Sequence, residues 1–176
     1  MRFHRFMRYS EAMKVVGFVV LFLAGLVLVT VVAGQVGLLK GHPPADLGVR
    51  DGRLKPPSLT PNSVSSQAAL YPQHPQRSYA SIEPLRYSDA PSSAMQRLLT
   101  VLRADPLIRL EQVTPEYIHA VARTRILRFA DDLEFWLDPA RPVIQIRSAS
   151  RLGRKDLGVN RERLEKIRAR FERTGP

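Results

Sequence analysis

The chain holds one acidic cluster, Asp131, Asp132 and Glu134 in ADDLEFWLD, and a histidine shortly upstream of it, His119 in YIHAVART. With a hydroxyl from Ser65 or Ser66 in NSVSSQA, these are the parts of a small hydrolase or lyase site. A carboxylate would orient, an imidazole would carry the proton and a serine would attack. The serines lack the strained GxSxG elbow that usually presents such a nucleophile. Neighbouring side chains of a strand point to opposite faces, so Asp132 and Glu134 form the natural carboxylate pair and Asp131 turns away from them. Such a pair can share a proton or attract a divalent cation, and it can equally serve as the partner of nearby arginines. His42 and His74 stand among prolines and polar residues with no HExxH or other ligand spacing. Neither a Rossmann fingerprint nor a Walker loop for a nucleotide occurs in the sequence, and no cofactor or metal is expected.

A second constellation lies in SASRLGRKDLGVN. There Ser148, Ser150, Arg151, Arg154, Lys155 and Asn160 crowd a glycine-containing connection into a helix N-terminus. Free backbone N–H groups at the positive end of the helix dipole suit a phosphate or carboxylate, and Arg151 could add a two-pronged grip. The plainer reading is structural: Gly153 and Gly158 shape the turn, Asn160 caps the helix, and Asp156 pairs with Arg151 or Arg154.

The elements that must position these residues begin with a long greasy segment. Val15 to Gly34, VVGFVVLFLAGLVLVTVVAG, carries no charge, and twenty residues at about 1.5 Å each make a helix of about 30 Å, the thickness of a bilayer's hydrocarbon. The expected division is a basic cytoplasmic N-terminus over 1–14, a transmembrane anchor over 15–39, a Pro-rich arm over 40–88 and a compact domain over 89–176. A cleaved signal peptide is the competitor for the first two, but the apolar run exceeds the usual span of about 7–15 residues. Arg2, Arg5, Arg8 and Lys14 precede the segment against Glu11 alone. The positive-inside bias therefore keeps the N-terminus in the cytoplasm and places the domain on the periplasmic side of the inner membrane.

Eight of the fourteen prolines fall in the arm, which argues against helix or central strand there. Recurring apolar residues, among them Leu47, Val49, Leu54, Leu59, Val64, Leu70, Ile82 and Leu85, suit an extended segment packed across the domain at intervals. In the domain, Ser88 or Asp89 can cap a helix reaching Ala104, with Met95, Leu98, Leu99 and Leu102 as its apolar stripe. Strands are expected over 108–113, 117–124, 133–137 and 143–148, the last two as a hairpin. A closing helix has Asn160 as N-cap, a staple of Val159 on Leu164, and Leu164, Ile167 and Phe171 on its buried face. The fold class is α+β: a small antiparallel sheet with flanking helices on one face, preceded by one transmembrane helix.

The net charge of +11 is concentrated toward the end, where residues 147–173 hold ten Lys or Arg against four Asp or Glu. The final helix mixes both signs and is expected outside the cytoplasm, so nucleic acid is not the expected polyanion. Anionic headgroups are nearer. The absence of cysteine excludes disulfides, thiolate catalysis, cysteine-ligated zinc and a lipidated cysteine.

Three blocks, GVRDGRLKPPSLTPNSVSSQA, LRFADDLEFWLD and IRSASRLGRKDLGVNRERLEKIR, together resemble the DUF1499 family of bacterial and plastid proteins, from about Leu47 to the C-terminus. The resemblance implies a membrane-associated or exported domain and brings no catalytic residues with it. The family arm usually has cysteine at the position of Ser63 and often at Leu59 or Thr60. This chain therefore lacks whatever thiol, disulfide or metal role those cysteines serve. The expected function is non-catalytic binding or structural interaction at the envelope, with membrane lipids contacted through 15–39. A groove between the arm and the 148–160 loop would take an anionic small molecule, a headgroup or an envelope protein. The alternative is a hydrolase or lyase using Ser65, Ser66, His119 and the acidic cluster.

Overall fold

The computed structural model describes the backbone of residues 2–175 and the side chains of residues 11–175. Helix α1 (Arg2–Gln35) is continuous, and its Glu11–Gln35 portion is long and apolar enough to cross a membrane. The side chains of Arg2, Arg5 and Arg8 lie outside the described residues, while Lys14 pairs with Glu11 at 2.8 Å. The helix ends at Gln35 rather than near Leu39. Gly37 adopts a left-handed φ of 83°, and the N–H groups of Gly37 and Leu38 turn back to the carbonyls of Gly34 and Ala33 at 3.0 and 2.9 Å. This Schellman closure satisfies the last carbonyls and redirects the chain.

The arm is more ordered than its prolines suggest. It contains a 3₁₀ turn (Ala68–Leu70) and a one-turn helix α2 (Arg77–Ala80), correcting the expectation of no helix there. Pro72, Pro75 and Pro84 flank these turns rather than interrupt them, so no ring displaces a helical hydrogen bond. Strands β1 (Ser63–Ser65) and β2 (Leu85–Arg86) both pair with the far edge of the main sheet, where proline neighbours are tolerated. Leu54, Val64, Ile82 and Leu85 are buried anchors, whereas Leu59 and Leu70 are exposed.

The sheet is antiparallel throughout, in the order β1-β6-β5-β4-β3, with β2 also on β6. Its central meander is β3 (Ile108–Val113), β4 (Tyr117–Arg123), β5 (Ala130–Leu137) and β6 (Val143–Ser150). β5 begins three residues earlier than the apolar pattern predicts, because Asp131 and Asp132 each meet an arginine and can therefore enter the sheet. Alternate residues Ile118, Ala120, Leu133, Phe135, Ile144 and Ile146 face helices α3 (Pro91–Arg103) and α4 (Val159–Arg173), forming one core. Met95, Leu98, Leu99 and Leu102 on α3, and Leu164, Ile167 and Phe171 on α4, are buried as the periodicity predicts.

Both helix caps differ from expectation. Pro91 opens α3 behind Ala90, with no side-chain cap. Asp89 instead forks onto Arg97 at 3.1 and 2.8 Å, and Arg97 lies 4.3 Å from the Phe171 ring centroid, tying α3 to α4. At α4, Gly158 is the N-cap with φ 85°, and Asn160 sits inside the first turn. The left-handed Leu157–Gly158 turn swings Asp156 over the helix start, where its carboxylate accepts from the N–H groups of Gly158 and Asn160 at 3.0 and 3.2 Å. Val159, 38% exposed, is the first residue of the helix and not the one before the cap, so the expected staple geometry does not apply.

Candidate anion-binding groove

The sheet face turned away from the helices carries a row of charge. Strand register sets Ser65, Arg147, Glu134 and His119 side by side across four strands. Glu134, fully buried, accepts from Arg147 Nη1 at 2.8 Å, from the Tyr117 hydroxyl at 2.9 Å and from the Gly48 N–H of the arm at 2.8 Å. One step along, Asp132 accepts from His119 Nε2 at 2.8 Å and from a forked Arg151 at 2.9 and 2.7 Å. Burial works to raise the Asp132 pKa, but the hydrogen bonds from His119 and Arg151 outweigh it and hold the carboxyl below its ordinary range. The Tyr117 hydroxyl is pushed well up by burial and then by the Glu134 charge beside it. The arm closes this face as a strap, its Leu54 and Val49 covering Tyr117 and Trp136.

The hydrolytic parts are divided by this geometry. His119, Asp132 and Glu134 share one face. Asp131 lies on the other, bonded to Arg163 at 2.6 Å. Ser65 stands three strand spacings from His119, about 14 Å, and its Oγ accepts the Gln67 N–H at 3.1 Å. Ser66 donates to Gln145 Oε1 at 2.6 Å and accepts from the Ile146 N–H at 2.9 Å. Neither hydroxyl is placed to pass a proton to the imidazole.

The loop from Ser148 to Asn160 is built inward. Ser148 and Asn160 are fully buried and bonded to each other. The Asn160 amide nitrogen also donates to the Asn62 carbonyl at 3.1 Å, to Ser150 Oγ at 2.9 Å and to Asp156 at 2.8 Å. Asp156 bonds Tyr79 and the helix start rather than Arg151 or Arg154. Burial tends to raise its pKa, and those hydrogen bonds bring it below the ordinary range. Arg151 is held by Asp132, which raises its own pKa. Of the six loop residues only Arg154 and Lys155 point freely to solvent.

The open basic surface is elsewhere. Between α4 and the ends of β3 and β4 runs a groove of about 910 Å³, with Arg123, Arg125, Arg163, Lys166 and Arg170 facing Asp105 and Glu162. Arg163 is taken by Asp131, Lys166 by Glu162 and Arg170 by Asp105. Among the described residues, Arg123 and Arg125 have no ion-pair partner. Their charge is unanswered in a concave site of ligand size, which is the arrangement an anion can neutralise.

The groove abuts α1. Thr124 and Arg125 line it and also line an apolar crevice of about 680 Å³ against Leu26, Val27, Thr30 and Val31. The β4–β5 connection (124–129) packs so closely on α1 that a Cβ at Gly34 would stand 2.4 Å from the Leu127 carbonyl oxygen. Gln35 also donates to the Ile126 carbonyl at 2.9 Å. Sequence reasoning passed over this connection, although RTRILRF mixes three arginines with Ile126, Leu127 and Phe129 as an interfacial segment does. Among the described residues no cluster of three or more His, Asp or Glu side chains could hold a metal ion.

No curated protein and no solved structure matches the chain. A family model described as a protein of unknown function (DUF1499) matches residues 53–171, from the strap through the sheet to the end of α4. That stretch is well over half of the chain, and the chain therefore belongs to the DUF1499 family.

Proposed function

We propose that this protein is a single-pass component of the cytoplasmic membrane whose domain lies on the extracytoplasmic face and binds an anionic, phosphate-bearing headgroup without transforming it. The observation carrying this reading is the position of the unpaired Arg123 and Arg125, in a groove that shares residues with the crevice against α1. The basic N-terminal flank supports the orientation. Arginine suits phosphate because its planar fork donates two parallel hydrogen bonds. The groove is preferred to the loop from Ser148 to Asn160, where Ser148, Ser150 and Asn160 are bonded to one another and Arg151 to Asp132, leaving Arg154 and Lys155 without a concave setting.

Titration of the full-length protein in zwitterionic detergent with glycerol phosphate tests the headgroup reading. Saturable binding at low millimolar ligand, abolished in Arg123→Gln/Arg125→Gln, is expected; no saturable signal refutes it. Protease added to spheroplasts should digest the domain and spare only the anchor, and an intact domain would refute the orientation. The hydrolytic alternative has the His119–Asp132 pair in its favour, while the Ser65 and Ser66 hydroxyls it would use are engaged elsewhere.

A further inference from the structure

The crevice between α1 and the β4–β5 connection has an unusual lining for a surface feature. The Thr30 hydroxyl is turned back onto the Leu26 carbonyl at 2.8 Å, leaving an almost wholly apolar wall formed by Leu26, Val27, Val31, Ile126 and Phe129. Part of the connection's backbone is partnered: the Thr124 N–H donates to the Phe129 carbonyl at 3.0 Å, the Phe129 N–H donates to Thr124 Oγ1 at 3.0 Å, and the Ile126 carbonyl accepts from Gln35 of α1. At the edge of hydrocarbon each such bond removes the cost of a backbone group left without a partner. Ile126 meanwhile is 64% exposed.

Depth along α1 follows from the helical rise. Gln35 marks the end of the apolar helix, and Leu26 lies nine residues before it, about 13 Å deeper. The crevice therefore reaches through most of one leaflet, whose hydrocarbon half is about 15 Å thick. The crevice is open along one side, and its apolar lining offers water no partners, so an apolar group covering it gains dispersion contacts along both walls.

We infer that the crevice holds an acyl chain of a phospholipid whose phosphate lies in the adjoining basic groove, so that the ligand class is an intact anionic phospholipid rather than a free anion. The inference rests on the headgroup reading above and adds the chain site. Arg125 and Thr124, common to both cavities, mark the level of the glycerol backbone. The chain gives the site its depth, while the arginines discriminate charge, because lipid tails alone are as apolar to α1 as to one another.

The test uses full-length protein in nanodiscs containing equal amounts of phosphatidylglycerol and phosphatidylcholine, transferred to detergent and examined by native mass spectrometry for retained lipid. Retention of phosphatidylglycerol in preference to phosphatidylcholine is expected. Arg125→Gln should lower that retention by about tenfold, the worth of one charge-assisted hydrogen bond. Val27→Trp, which fills the crevice, should lower lipid retention several-fold and leave glycerol phosphate titration unchanged. Unaltered retention in Val27→Trp overturns the acyl site while leaving the headgroup reading standing. Loss of glycerol phosphate binding in Arg125→Gln without any lipid preference in the parent also overturns it. Equal retention of the two lipids means an annular layer only and refutes the inference.

Discussion

Glu134→Gln is the most searching perturbation of the buried charge under the strap. The amide would keep the shape of the side chain and one carbonyl oxygen to accept from Gly48 and Tyr117, which now bond Oε1 at 2.8 and 2.9 Å. What the substitution removes is the negative charge opposite Arg147, whose guanidinium is 2.8 Å from Oε2. Arg147 is 3% exposed and Glu134 0%, so water cannot take over the solvation of the stranded cation. Breaking one partner out of such a pair costs about 3–5 kcal/mol, a large share of the roughly 5–15 kcal/mol that holds a domain together. Arg147→Met added to Glu134→Gln removes the orphaned charge and should recover about 2 kcal/mol or more of the loss, a coupling expected only of groups in contact. The protein supplies its own reporter, since Trp136 is the single tryptophan and packs on the same face beneath Leu54. Urea titration of the full chain in detergent, followed by its emission, gives all four corners of the cycle. A Glu134→Gln midpoint equal to the parent's, or simple additivity with Arg147→Met, would refute the view that this pair is desolvated and mutually dependent.

Asp132 has a depressed pKa in the folded protein, so its contribution is fully present above the ordinary carboxylate value of about 4 and fades as pH falls through the lower folded value. Asp132→Asn should therefore flatten part of the acid loss of stability below about pH 4 while lowering stability at neutral pH; parallel pH profiles would contradict this. Asn160→Ala strands the Asn62 carbonyl and the Ser148 hydroxyl in a fully buried site. A loss of about 3 kcal/mol is expected by the same titration, and a loss below about 1 kcal/mol would show that the site relaxes around the gap. Gly34→Leu cannot coexist with the Leu127 carbonyl at its present distance. Amide hydrogen exchange across residues 124–129 should rise in that variant, and unchanged protection would mean the connection does not rest on α1.

Periodicity carried the reading wherever burial is one-sided. The α3 stripe, the α4 stripe and the four central strands follow from repeats of 3.6 and 2 that the core face enforces. The reading failed where polar residues are buried in pairs. Asp131 and Asp132 look like loop residues until their arginines, Arg163 and Arg151, arrive from distant parts of the chain to neutralise them. Asn160 has the right residue type for a cap, but the left-handed turn at Leu157–Gly158 hands that task to Asp156. The groove was hidden for a related reason. Arg123 ends a strand, Arg125 lies in the connection after it, Lys166 and Arg170 belong to a helix, and only the docking of α4 beside the ends of β3 and β4 makes them neighbours. The cluster His119, Asp132 and Glu134 was visible as a grouping and strand alternation already turned Asp131 from it, while the separation of Ser65 depends on strand order.

The turn at Gly37 and the contact of Gly34 with Leu127 have a consequence for reach. A domain on a slack leash samples a hemisphere above the membrane and can present any side to a visitor. Here the helix exits directly into a folded footing, with the following residues stitched to Glu134 a short distance on. Tilting the domain would have to tear that footing. With α1 in a bilayer, these contacts would favour one tilt of the domain, with the flank carrying the β4–β5 connection turned toward the lipid.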